Sequence, residues 1–317
     1  MSDLAYPSVT IGIPTYNRAD SYLKEAVESG LNQTYPNIEI IISDNCSSDN
    51  TEMVVKAFTD IRIRYHRHDV NIGANNNFNF CLKQATGDYF LLLQDDDLID
   101  DDFIEVCIKA ANYSANIGII RTGTRVIDSD GKVITEHPNM VVGLSTEDFF
   151  RSWFACKTSF YLCSTLFNTK RLREIGGFGS KNNLFQDVMA EVQLAAKYGR
   201  ADVEAIKASF RKHAEQTTFS AKVRAWCQDS LMLLDLMCDL ISENKSVVRS
   251  EGMRFLSELN YDTASAVKSP LKRFISYMTV LKSYNYTHLP PPVYRGLRFV
   301  KRRMRQVLGS PVVRNTP

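Results

Sequence analysis

The run Val9-Thr10-Ile11-Gly12-Ile13 is apolar and β-branched and stops at Pro14, the pattern of a short buried strand rather than of a helix. Residues 21–32 then read with helical spacing, and Ile38-Glu39-Ile40-Ile41-Ile42 makes a second apolar run. The alternation continues with a helix expected over 50–58, a short strand over 61–65, a helix over 76–84 and a strand at Tyr89-Phe90-Leu91-Leu92-Leu93. Strands that are apolar along their whole length are buried on both faces. Alternating them with helices predicts an α/β fold, a mostly parallel central sheet flanked by helices. Past residue 145 the pattern loosens into a turn at 176–179, a helix over 188–198 and an extended piece over 203–211. Val223, Trp226, Cys227, Leu233, Leu234, Met237, Leu240 and Ile241 then recur at helical spacing, as a packing face does. The expected division is a main domain over 1–220 and a helical C-terminal region over 221–317.

In an open parallel sheet, ligands bind beyond the carboxyl ends of the strands. Three polar loops should therefore converge: residues 14–18, residues 43–49, and Gln94-Asp95-Asp96-Asp97 after the strand at 89–93. Adjacent carboxylates repel one another. Either a hard divalent cation completed by phosphate oxygens offsets them, or they belong to a solvated helix start, since Asp100-Asp101-Asp102 follow closely. Asp44 directly follows an apolar strand, where its carboxylate can accept N–H groups of a ligand, whereas Asp49 fits a helix cap. Neither Gly-x-Gly-x-x-Gly after the first strand nor a phosphate-loop signature occurs, so a nucleotide would be held another way.

Composition changes this picture in two respects. With 317 residues, 44% hydrophobic and 23% charged, the chain is globular, which excludes disordered, collagen-like and disulfide-framework classes. The formal charge of +2 conceals an asymmetry, because residues 268–317 hold eleven Lys and Arg and no Asp or Glu. Leu297, Val300, Met304 and Val307/Leu308 recur there at helical spacing among Arg298, Lys301, Arg302, Arg303 and Arg305. Such a basic amphipathic helix lies either on an anionic membrane or on the rest of the protein with its cationic face in water. Seven cysteines without metal-ligand spacing fit a reduced protein, and neither a leader pattern nor a bilayer-length apolar run is present. The expected place is the cytoplasm, with peripheral contact at the inner face of the cell membrane. No recognised basic module is present, so nucleic acid is not an expected partner.

Several segments, in this order and spacing, resemble the family 2 glycosyltransferases over residues 7–220: VTIGIPTYNR at 9–18, IIISDNCSSDNT at 40–51, NIGANNNFN at 71–79, ATGDYFLLLQDDD at 85–97, IGGFG at 175–179 and FQDV from residue 185. The resemblance implies a nucleotide-sugar-binding fold of the glycosyltransferase A type. It implies that Pro14, Thr15, Tyr16, Arg18 and Asn71 line the donor site, that Asp44 accepts the base N–H, and that Asp95 meets the ribose. Asp96 would hold a Mn²⁺ or Mg²⁺ ion, with His213 beside the metal or diphosphate; the alternative for His213 is a structural role. The pair that supplies the family's catalytic base appears as Gln186-Asp187, so Asp187 is either the base or the cap of the helix at 188–198. The implied reaction is inverting transfer from a nucleotide-sugar donor to a hydroxyl of a glycan or lipid-linked glycan acceptor in cell-surface polysaccharide synthesis.

Three departures from the family pattern, Gln94, Gln186 and the stretch Asn77-Phe78-Asn79, keep a second reading open. In that reading the protein binds a nucleotide sugar or glycan without turning it over. A sugar nucleotidylyltransferase is a further rival, but it would need a glycine-rich loop with Lys or Arg after the first strand, which is absent.

Overall fold

A computed structural model describes residues 6–213 and 222–290. Its elements run β1 (Val9–Thr15), α1 (Leu23–Leu31), β2 (Ile38–Asp44), α2 (Thr51–Lys56), β3 (Ile63–Arg67), α3 (Ala74–Gln84), β4 (Tyr89–Leu92), β5 (Leu98–Ile99) and α4 (Phe103–Ala110). They continue with β6 (Ile119–Ile127), β7 (Val133–His137), α5 (Thr146–Phe154), β8 (Thr165–Asn168), α6 (Thr169–Glu174), α7 (Gln186–Tyr198) and β9 (Arg200–Arg211). Three helices close the described chain: α8 (Val223–Asp239), α9 (Lys245–Ser265) and α10 (Pro270–Ser283). The basic helix expected at 297–308 lies outside the described residues. None of the described helices is long and apolar enough to cross a membrane.

The sheet is mixed, with strand order β3-β2-β1-β4-β8-β6-β9-β5 and β7 paired on β6. Its first half is parallel, β3, β2, β1 and β4; β2, β1 and β4 are written in near-continuous apolar runs, whereas β3, at the sheet edge, reads Ile-Arg-Tyr-His-Arg. From β8 onward antiparallel pairs enter, at β4–β8, β6–β8, β6–β7 and β5–β9, while β6–β9 is parallel.

Period-two alternation sends successive side chains to opposite faces. Tyr89, Leu91 and Leu93 join Val9, Ile11, Ile13, Ile40 and Ile42 in a core under α1, α2 and α4. Phe90 and Leu92 point the other way, into a core with Cys81 and Leu82 of α3, Phe149 and Phe150 of α5, and Leu233, Leu234 and Met237 of α8. The C-terminal helices thus share a core with the sheet. Gly12 permits α3 to approach this closely, because a Cβ there would meet the Cys81 Cβ and the Phe90 ring at 2.8 Å.

Candidate active site

The loops after β1, β2 and β4 meet in one crevice of about 490 Å³ at the carboxyl ends of the parallel strands. Pro14, Thr15, Tyr16, Arg18, Asn71, Asp95 and Asp96 line it, so the structure brings most of the sequence-predicted residues together. Asn45, Ala74, Asn77, Phe78, Gln94 and Phe210 complete the wall. Phe210 carried no local signal; it arrives from β9, where its ring stacks on Tyr161 with centroids 4.4 Å apart.

The two aspartate triplets separate. Asp100 accepts from both Arg125 terminal nitrogens at 2.9 Å, and Asp102 accepts from Lys207 Nζ at 2.6 and 2.8 Å, which ties the start of α4 to β6 and β9. Asp95, Asp96 and Asp97 instead form a turn between β4 and β5, away from any helix start. The antiparallel register Leu98↔Ser209 and Ile99↔Ala208, continued past the strand ends, carries Arg211 and His213 to that turn. His213 Nε2 lies 2.8 Å from Asp96 Oδ2, and its ring tilts against Tyr22. Arg211 donates its backbone N–H to Asp97 Oδ1 and its Nε–H to the Asp96 carbonyl, each at 2.9 Å. It also reaches Glu25 at 2.7 Å.

Burial and neighbouring charge set Asp95 and Asp97 apart from ordinary carboxylates. Burial and the adjacent Asp96 charge push Asp95 up to about 7, against the Thr15 side chain and the Arg18 guanidinium, whose Nε stands 3.9 Å away. Asp97 is pushed well above the usual carboxylate range, first by burial and then by Asp96, and serves as an internal anchor facing the Cys163 thiol. Asp96 is the member of the triplet that a crevice ligand and His213 can share. Among the described residues no cluster of three or more His, Cys, Asp and Glu side chains could hold a metal ion. A divalent ion held by this one carboxylate and imidazole would need phosphate and water oxygens for its other ligands.

Asp44 does not line the crevice. Its carboxylate is fully buried, accepting from Ser47 N at 2.8 Å and Tyr65 Oη at 2.7 Å, with Arg67 Nε at 3.8 Å. Asn71 Oδ1 accepts from Asn45 Nδ2 at 3.0 Å and Gly73 N at 2.9 Å, fixing the loop that enters α3. Asp49, expected as a cap, precedes the actual N-cap of α2, Asn50, and accepts from Thr51 N and Ala19 N at 3.0 Å each, bracing the turn that enters the helix.

Asp187 lies in the first turn of α7, outside the lining of the crevice, and its Oδ1 accepts from Val188 N at 2.8 Å. Burial pushes its carboxyl up to about 6. The segment leading to it is held at both ends. The turn at Gly177 (φ +78°) docks on α3 through reciprocal bonds between Phe178 and Asn79 at 2.8 and 2.9 Å, and a Cβ at Gly177 would strike the Asn79 amide oxygen.

Fully buried Asp229 of α8 accepts from Ser180 Oγ at 2.6 Å, Asn182 Nδ2 at 2.7 Å and Leu184 N at 3.2 Å, clamping the chain just before α7. Nothing local in the sequence marks Asp229, since its partners lie more than forty residues away. Asp229→Ala would strand several buried donors, and about 3 kcal/mol of stability should go with them. Urea melts read this directly; a midpoint equal to wild type would remove the clamp from the account.

Residues 10–167 match the family model described as "Glycosyl transferase family 2". An uncharacterized glycosyltransferase of Rickettsia bellii is 31% identical over 258 residues, covering 79% of this chain and 36% of that protein. The GalNAc(5)-diNAcBac-PP-undecaprenol beta-1,3-glucosyltransferase of Campylobacter jejuni is 30% identical over 176 residues, 53% of this chain and 55% of that one. The chain thus spans only part of the curated relatives it matches. Among solved structures, S. aureus TarS residues 1–349 with UDP-GlcNAc superposes at a TM-score of 0.63 and 15% identity, covering 87% of this chain and 80% of that one. The mannosyltransferase PcManGT of Pyrobaculum calidifontis, with GDP-Man and Mn²⁺, superposes at 0.57 and 17% identity, covering 96% and 82%. The mixed sheet with flanking helices and a helical C-terminal region is the glycosyltransferase A-type fold.

Proposed function

The chain belongs to glycosyl transferase family 2 through residues 10–167, and from that premise we propose that it moves one sugar from a nucleotide-diphosphate donor to a hydroxyl of a glycan or lipid-linked glycan acceptor. The observation that carries this reading is the convergence of Thr15, Arg18, Asn71, Asp95 and Asp96 on one crevice, with Asp96 against His213. The Campylobacter relative is named for an undecaprenol-linked substrate, which supports a lipid-linked glycan acceptor.

In the proposed site, residues 1–220 bind the donor and carry the chemistry. Pro14, Thr15, Tyr16 and Arg18 border the base and phosphates, and Asn71 holds the loop facing them. Asp44, engaged by Tyr65 and Ser47 and outside the crevice lining, braces the loop after β2 instead of meeting the base, and Asp95 meets the ribose. Asp96 with His213 would hold the divalent ion, whose chemistry when bound is to neutralise charge on the departing diphosphate. The Mn²⁺ in the PcManGT structure supports that assignment. Asp187 takes the proton from the acceptor hydroxyl as its oxygen attacks the anomeric carbon opposite the diphosphate, so configuration inverts.

Thermal melting against nucleoside diphosphates and nucleotide sugars, with Mn²⁺, Mg²⁺ or chelator, tests the donor site. A ligand at about a hundred times its Kd adds about 2.7 kcal/mol to the folded state. The expected result is a metal-dependent rise of several degrees for one nucleotide class, lost in Asp96→Ala. If no nucleotide moves the midpoint under any metal condition, the donor assignment fails. If donor binds but no acceptor is ever glycosylated, the non-catalytic reading that Gln94, Gln186 and Phe78 keep open takes its place.

A further inference from the structure

Among the described residues, one face of α10 has no partner. Leu271, Phe274, Ile275 and Met278 are spaced i, i+3, i+4 and i+7, so they stack along a single side of the helix. Their exposures are 70, 61, 55 and 40%. The opposite side is what holds the helix to the protein, through buried Val280 and the Tyr277 ring packed edge-on to Tyr261. Large apolar side chains standing contiguously in water mark a contact surface, because folding gains nothing from them there.

Charge says what covers it. Lys272 and Lys282, both exposed, accompany the stripe, and from Lys268 to Pro317 the chain holds eleven cations and no carboxylate. A second copy of α10, or the chain's own residues 291–317, would bring like charge against like. An anionic lipid surface accepts both components, apolar side chains below the headgroups and lysines among the phosphates.

We infer that the Leu271–Met278 face of α10 seats the protein on a bilayer bearing anionic headgroups. The helix lies in the interface and does not span it, in keeping with its fourteen residues. The seat stands independently of the transfer reading; only its use, holding the crevice beside a lipid-linked acceptor, rests on that reading.

Co-sedimentation of the 317-residue chain with vesicles of phosphatidylglycerol and phosphatidylcholine, against phosphatidylcholine alone, tests the seat without any turnover. Binding is expected on the anionic vesicles and should weaken at least about tenfold on the neutral ones, and again at 1 M salt, where the screening length falls to about 3 Å. Phe274→Ser with Ile275→Ser should weaken anionic binding by about tenfold or more, as loss of two buried apolar side chains implies. The variant's melting midpoint and nucleotide-induced shift should match wild type, since both residues face water. Undiminished vesicle binding by the variant, or none by wild type, overturns the inference. So does a lipid-free dimer that the variant dissolves, which makes a second copy the occupant, or a midpoint lowered by several degrees, which makes the protein's own chain the occupant.

Discussion

Asp187→Asn is expected to lower transfer by about 10²–10⁴-fold, the usual contribution of a general base, while donor affinity stays within about twofold of wild type. The substitution keeps the shape and the acceptor to Val188 N, so α7 should begin where it does now. What disappears is the capacity to take a proton. The pH profile makes the same claim from another side. A base pushed by burial up to about 6 is active only when ionised, so kcat/KM should rise with pH through about 6 and then level off. Stability runs the opposite way. A folded-state carboxyl above its unfolded value holds its proton more tightly when folded, so its contribution falls as pH rises from about 4 to about 6. Asparagine escapes that loss, and the variant's melting midpoint at neutral pH should equal or exceed wild type. A variant that turned over normally, or one that lost activity only because it melted early, would remove Asp187 from the chemistry. Isothermal titration with the donor, initial rates and thermal melts on the same preparation separate these outcomes.

The parallel half of the fold was legible because β1, β2 and β4 bury both faces and are therefore written in apolar residues almost without interruption. The other half was not, for a specific physical reason. β6 reads Ile119-Ile120-Arg121-Thr122-Gly123-Thr124, and three of those polar residues are fully buried, so its hydrophobic pattern breaks in the middle of the sheet. β5 is two residues long and exists only as the partner of β9. The candidate site divides in the same way. The loops after β1, β2 and β4 could be placed from local sequence, and the structure joins them in one crevice. Arg211 and Asp229 could not, because what makes each matter is a register or a helix packing set by distant residues. Asp44 illustrates the remaining gap: the sequence puts it at a strand end, but only the structure shows its carboxylate beneath the crevice wall, already held by Ser47 and Tyr65.

Arg121→Met is expected to cost about 3–5 kcal/mol, the usual penalty for breaking one side of a buried ion pair. Arg121 Nε stands 2.8 Å from Glu191 Oε2, and both side chains are fully buried. The guanidinium lies over the Phe149 and Phe160 rings, 5.1 and 4.6 Å from their centroids, and donates to Thr158 Oγ1 and the Ser159 carbonyl. Glu191 sits one turn after Asp187 on α7, so the pair pins to β6 the helix that presents the proposed base. Burial holds the Glu191 carboxyl above its ordinary value even with Arg121 beside it; without that cation the carboxyl rises further. Both folded proteins keep a proton there that the unfolded chain releases, so the variant's deficit should stay level up to about pH 8, where wild-type Glu191 ionises, and grow above it, where the variant's does not. Glu191→Gln, which strands the guanidinium instead, should lose a similar amount. Arg121→Met with Glu191→Leu removes both charges and should recover much of the loss, because an apolar replacement carries no desolvation penalty. Denaturant melts of the four proteins at two pH values close the cycle. Single variants that each cost under about 1 kcal/mol would mean that water reaches the pair and that α7 is fixed elsewhere.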